Sequence, residues 1–81
     1  MYHVYILQSE LTQKFYIGST GNIADRMERH NNGRSKATKT GISWKLVYTE
    51  EFTTRSEAIG REMEIKSWKS HTRIMALINK S

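Results

Sequence analysis

The segment Tyr2-His3-Val4-Tyr5-Ile6-Leu7-Gln8 constrains this chain more than any other. It is rich in β-branched and aromatic residues, and both of its alternating faces are apolar: Tyr2, Val4 and Ile6 on one, Tyr5 and Leu7 on the other. A strand of that pattern needs cover on both sides, so it belongs in the middle of a sheet. With 81 residues the chain can bury one modest core, which predicts a single domain over residues 1–81. Cysteine is absent, which excludes a disulfide scaffold and a thiolate metal site. The apolar fraction is only 37%, so stability is expected to need help from a bound ion or a partner chain. No apolar run approaches the ~18 residues of a membrane span. The N-terminus also lacks the basic and apolar regions of a signal peptide. The expected compartment is cytoplasmic, with no membrane partner.

The remaining elements follow from spacing. Lys14 to Ser19 reads as a second strand, and Ser9-Glu10-Leu11-Thr12 as a hairpin connection. If Gln8 pairs with Gln13, Tyr5 lies opposite Tyr16 and both phenols share one sheet face; a one-residue slip would separate them. Asn22 is a suitable helix N-cap with Asp25 as its capping-box partner, and Asn31-Asn32-Gly33 ends that helix. Ile23 and Met27 form its apolar side, while Arg26 and His30, four apart, stack on another. Arg34 to Ser43 is a polar loop, and Trp44 to Phe52 a third strand in which Trp44, Leu46 and Tyr48 alternate. Thr54-Arg55-Ser56-Glu57 is a capping box that opens a second helix. Ser70 caps a third, where Ile74, Leu77 and Ile78 fall at helical spacing. The order ββαβαα, with a hairpin first, predicts an α+β fold with an antiparallel sheet.

Charge is unevenly placed. The net charge is +5, yet up to Gly33 the bases Lys14, Arg26 and Arg29 are balanced by Glu10, Asp25 and Glu28. The whole surplus lies from Arg34 onward. A small basic domain points to a polyanionic partner, nucleic acid before membrane, although the same charge also serves solubility. Arg34, Lys36, Lys39 and Lys45 are the expected nucleic-acid contacts.

Individual side chains leave two readings each. Glu62 projects into the arc of the second helix defined by Ala58, Ile59 and Ile65, where a carboxylate needs either a salt bridge or a cation. Tyr5 and Tyr16 are either a phenol site or core aromatics with hydroxyls at the rim. Arg26 is either a phosphate clamp or a solvated surface residue. His30 is either a general acid–base group or a partner of the helix dipole. No histidine pair has metal-ligand spacing.

Taken as an ordered set, these residues resemble the GIY-YIG nuclease domain. Val4-Tyr5-Ile6 and Tyr16-Ile17-Gly18 are similar to its paired motif, Arg26 and His30 to an R-x₃-H on the following helix, and Ala58-Ile59-Gly60-Arg61-Glu62 with Lys66 and Trp68 to its A-x₃-E-x₃-K-x-W stretch. The likeness runs from about Tyr2 to Ile78 and is closest to short stand-alone bacterial or phage members. It departs in carrying Val4 in place of the first glycine, and in lacking a second histidine between Arg34 and Ser43, which some relatives have.

The resemblance implies a three-stranded antiparallel sheet flanked by helices. It also implies an endonuclease that hydrolyses DNA phosphodiester bonds with one Mg²⁺ (or Mn²⁺) ion, of the structure-selective, DNA-repair or recombination type. Glu62 would be the sole protein ligand of the metal. Tyr5 would help activate water, directly or through its neighbour, and Tyr16 would orient water or phosphate. Arg26 would stabilise the phosphorane charge, His30 would assist proton transfer, and Gly18 would let the backbone approach the site. Tyr5, with an ordinary phenol pKa of about 10, would need a nearby cation to act as a base. The alternatives are a nucleic-acid-binding module with a vestigial site, or a small interaction subunit of a larger nuclease complex. A protein partner or a homodimer that supplies specificity fits the short length.

Overall fold

Strand β1 (Tyr2–Ser9) is the middle strand of a three-stranded antiparallel sheet of order β2-β1-β3, as its doubly apolar pattern requires. The computed structural model describes residues 1–33 and 38–80. After β1 come β2 (Phe15–Thr20), α1 (Ile23–Asn31), a 3₁₀ turn (Lys39–Gly41), β3 (Trp44–Phe52), α2 (Arg55–Trp68) and α3 (His71–Lys80), which is the ββαβαα order.

The hairpin register differs from the expected one. The Ser9 N–H donates to the Lys14 carbonyl and the Gln13 N–H to the Ser9 carbonyl, both at 2.9 Å. Ser9 Oγ accepts from the N–H groups of Leu11 and Thr12, and Gln13 takes a left-handed φ of 65° to close the turn. The loop therefore closes on Ser9 and Lys14, not on Gln8 and Gln13. Tyr5 faces Gly18, and Tyr16 faces Leu7. Each end of the loop has moved by one residue, so the pairing shifts by two and side-chain parity is kept. Both phenols still lie on one face, with ring centroids 6.4 Å apart.

Strand β3 holds a second correction. Ile6 pairs with Tyr48 but Leu7 with Leu46, so Val47 is the extra residue of a bulge. The bulge reverses the alternation, as an inserted residue must. Trp44 and Tyr48, two steps of alternation apart in sequence, consequently pack on opposite faces.

The core has two halves. On one face of the sheet, Val4, Ile6 and Ile17 pack against Ala58 and Ile65 of α2 and Ile74 of α3. On the other, Tyr5, Leu7 and Trp44 pack with Tyr16 and Met27 of α1. Val4, Ile6 and Leu7 are each 0% exposed, and burial of such a side chain contributes about 1.5–3 kcal/mol. Ile59 was expected on the apolar arc of α2 and is instead 37% exposed. It lies about 100° around the helix from Ala58, whereas Ile65 returns to within about 20°. The buried arc is narrow, and Glu62 stands at its edge.

The caps fix where the helices begin. Asn22 Oδ1 accepts from the Asp25 N–H at 3.0 Å, but the Asn22 N–H goes to Thr20 Oγ1 and the Asp25 carboxylate to Arg29. Only half of the expected capping box is made. The box at Thr54 and Glu57 is complete, and Ser70 Oγ accepts from the Arg73 N–H. Asn31, the last residue of α1, bonds both the N–H and the carbonyl of Trp44 (2.7 and 3.1 Å), pinning the helix to the start of β3.

Candidate active site

Gly18 on β2 explains how the Tyr5 phenol reaches its place. A Cβ at Gly18 would lie 2.5 Å from Tyr5 Oη, so the ring occupies the space a side chain would fill. From there the phenol reaches His30 Nε2 at 3.0 Å, and His30 Nδ1 meets Thr38 Oγ1 at 2.8 Å. The Thr38 carbonyl accepts from the Trp44 indole at 2.7 Å. Tyr5, His30 and Thr38 are 1%, 2% and 1% exposed, a closed polar chain running from β1 through α1 to the loop before the 3₁₀ turn. Tyr16 flanks it, its ring centroid 4.8 Å from that of His30, and remains partly exposed.

Burial pushes the Tyr5 phenol up to about 12, with Tyr16 and then Glu62 adding to the rise. The Arg26 guanidinium beside it pulls the other way, by charge and by hydrogen bonding, without prevailing. The expected lowering of this phenol by a cation is thus outweighed by desolvation. Burial, reinforced by Arg26, holds His30 below the ordinary imidazole value, so its ring is neutral at pH 7.

Arg26 and Glu62 approach from different helices. Asp25 pairs with Arg29, and no carboxylate pairs with Arg26 among the described residues. Arg26 lines a cleft of about 240 Å³ with Ser19, Thr20 and Gly21 of the β2–α1 connection and Arg55, Ala58 and Ile59 of α2. One turn beyond Ala58, Glu62 accepts from Ser19 Oγ at 2.6 Å through Oε1 and from Lys66 Nζ at 2.6 Å through Oε2. The ion-pair reading of Glu62 therefore has its partner, Lys66, whose side chain is 49% exposed against 17% for Glu62. Glu62 oxygen and Ser19 hydroxyl are hard donors, and among the described residues no cluster of three His, Cys, Asp or Glu could hold a metal.

The structure brings Tyr5, Tyr16, Gly18, Arg26 and His30 together, and sets Glu62 beside them at Ser19, the residue after Gly18. The expected nucleic-acid contacts are more scattered. Lys39 is exposed in the 3₁₀ turn, and Lys45 lines a separate depression with Gln8, Ser9, Glu10 and Gln13. Arg34 and Lys36 lie outside the described residues. Three residues of the site were not legible beforehand. Arg55 reads in sequence only as part of a capping box, Thr38 as one polar residue in a polar loop, and Ser19 as the end of a strand; none carries a local signal of its tertiary neighbours.

Residues 1–75 match the model of the GIY-YIG catalytic domain. The chain belongs to the GIY-YIG family, whose domain implies a nuclease-type function and DNA binding. Its relatives are UPF0213 proteins. One from Staphylococcus haemolyticus is 38% identical over 90% of this chain and 89% of its own length. One from Clostridium perfringens is 37% identical over 100% of this chain and 87% of its own. The solution NMR structure of a UPF0213 protein from Bacillus halodurans superposes with a TM-score of 0.62 at 29% identity, covering 100% of this chain and 86% of that one. No helix among the described residues is long and apolar enough to cross a membrane.

Proposed function

We propose that this chain is a metal-dependent endonuclease that hydrolyses DNA phosphodiester bonds. The observation that carries the reading is the meeting of Arg26 from α1 and Glu62 from α2 at Ser19, which lines the cleft with Arg26 and donates its hydroxyl to Glu62. A water attacks phosphorus and gives up a proton, the bond to the leaving oxygen breaks and that oxygen takes up a proton in turn, and negative charge gathers on the phosphate oxygens in between. Arg26 and Arg55 line the cleft where those oxygens would sit, and donors aimed at developing charge are the strongest aid to such a step. Tyr16, partly exposed, orients water or phosphate. Tyr5 is too buried to touch the water itself, so its effect passes through Arg26 and Tyr16, while His30 holds its proton.

The donors at Glu62 fit one Mg²⁺ or Mn²⁺ ion, since magnesium is commonly held by one or two carboxylates together with water and substrate phosphate. Such an ion, when bound, supplies Lewis-acid stabilisation of the phosphate and a more acidic water. Glu62 would hold it, and Lys66, which already bonds that carboxylate, would compete for it.

The test is cleavage of branched and linear DNA in magnesium and in EDTA, by the wild type and by Glu62→Gln. Cutting that needs magnesium and Glu62 is expected, and faster cutting of branched DNA would mark a structure-selective enzyme. A Glu62→Gln variant that cuts as the wild type does sinks the metal-ligand role. The second reading, a binding module with a vestigial site, draws on the Lys66 bond that already occupies Glu62; DNA binding without cleavage by the wild type would select it.

A further inference from the structure

The buried chain Tyr5–His30–Thr38 has a direction, and the direction can be read. The Tyr5 phenol is 1% exposed, and a guanidinium such as that of Arg26, which only donates, cannot take its proton. That phenol keeps its proton at neutral pH, and the partner its geometry offers is His30 Nε2 at 3.0 Å. If Nε2 accepts, the single proton of a neutral imidazole resides on Nδ1, and Nδ1–H donates to Thr38 Oγ1 at 2.8 Å. The opposite direction would aim Nε2–H at the phenol oxygen and leave the buried phenol proton without the one acceptor its geometry offers. A threonine hydroxyl accepts as readily as it donates, so Thr38 permits the first arrangement. Its own place is held by Trp44, whose indole bonds the Thr38 carbonyl.

We infer that Thr38 is a positioning residue: it fixes His30 as the Nδ1–H tautomer and thereby sets the direction of the Tyr5–His30 hydrogen bond. The catalytic consequence rests on the nuclease reading; the tautomer does not. Site geometry would then be set by a side chain that is itself 1% exposed. Such orienting of a histidine by the bond at its other nitrogen is a general device wherever imidazoles must be held in one form.

The test is a long-range ¹H–¹⁵N correlation spectrum of the histidine side chains at neutral pH, on wild type, Thr38→Val and Thr38→Ser, with cleavage measured alongside. His30 of the wild type is expected to show a protonated Nδ1 and an unprotonated Nε2. Thr38→Val, which keeps shape but loses the hydroxyl, should move the proton to Nε2 and slow cleavage by about tenfold, the worth of one hydrogen bond. Thr38→Ser should restore both. A wild-type spectrum with the proton on Nε2 overturns the inference whatever the variants do. So does a Thr38→Val protein that retains the Nδ1–H signature. If Thr38→Val does not fold, the wild-type and Thr38→Ser spectra decide, since both must show Nδ1–H. If the wild type cuts no DNA, the nuclease reading fails while the spectra still decide the tautomer.

Discussion

Two arginines, Arg26 and Arg61, sit beside two tyrosines whose phenols are both pushed up to about 12, and they are used in opposite ways. Arg61 on α2 is closed off. It forms a two-pronged bond to Glu50 of β3 (2.8 and 3.0 Å) and a third bond to Glu64, and it lies against the Trp68 ring, which Arg73 also covers. Tyr48 donates to the same Glu50 carboxylate. Arg26, by contrast, is met by a neutral phenol and has no carboxylate among the described residues, and it lines the cleft. Where charge is matched internally, the cluster clamps α2 to β3. Where it is left open, the arginine lines the cleft that the nuclease reading assigns to the phosphate. An arginine type alone does not distinguish the two; the inventory of neighbours does.

The largest effect expected is on Arg26. Changing Arg26→Ala should cut DNA cleavage by about 10²–10³-fold, the loss typical of one transition-state donor, while melting shifts by no more than about 0.5 kcal/mol. A variant that melts early instead would place Arg26 with Arg61 as a structural residue. The converse test is Arg61→Ala. Urea unfolding should show a loss of about 1.5–3 kcal/mol, the range for hydrogen bonds to charged groups in a half-buried setting, with cleavage by the folded protein preserved. Cleavage that collapses while stability holds would merge the two regions.

Gly18→Ala should come next. Its Cβ would press on the Tyr5 ring, so the ring must shift, at about 1–3 kcal/mol for overpacking. Loss of the Tyr5 to His30 bond would be visible by NMR, and an unaltered spectrum would show that the ring has room.

A pH titration of stability separates the regions again. The folded-state pKa of His30 is lowered, so the unfolded chain binds more protons as pH falls below the unfolded value of about 6.5, and stability must fall with it. Glu50, whose carboxyl is held low mainly by its bond to Arg61, contributes stability that is present above the usual carboxylate value and lost only at more acidic pH. The slope for His30 is at most about 1.4 kcal/mol per pH unit. It should vanish in His30→Gln, measured by denaturant melts across that range. The smallest effect concerns Lys66. Lys66→Met should raise the affinity for Mn²⁺ by no more than about fivefold, because a half-exposed pair is worth up to about 1 kcal/mol. Titration calorimetry that finds weaker binding would make Lys66 an aid to the metal and not its competitor.

Local chemistry determined much of this molecule directly from the chain. Apolar residues on both faces of Tyr2–Gln8 put β1 in the middle of the sheet, and Asn22, Thr54 and Ser70 marked the starts of α1, α2 and α3, because caps and alternation act within a few residues. The spacing of four between Glu62 and Lys66 was likewise enough to place them within reach on one helix face. Tertiary structure decided the rest. The hairpin closes on Ser9, whose Oγ accepts from the N–H groups of Leu11 and Thr12 and donates to the remote Gly41 carbonyl, and a bulge at Val47 splits Trp44 from Tyr48; alternation reveals neither. Ser19 at Glu62 and Arg55 in the same cleft as Arg26 come from segments remote in sequence, and Thr38 meets His30 from eight residues further along the chain. Their hydrogen bonds and charges acquire partners only once the two sheet faces are packed and water has been excluded between them.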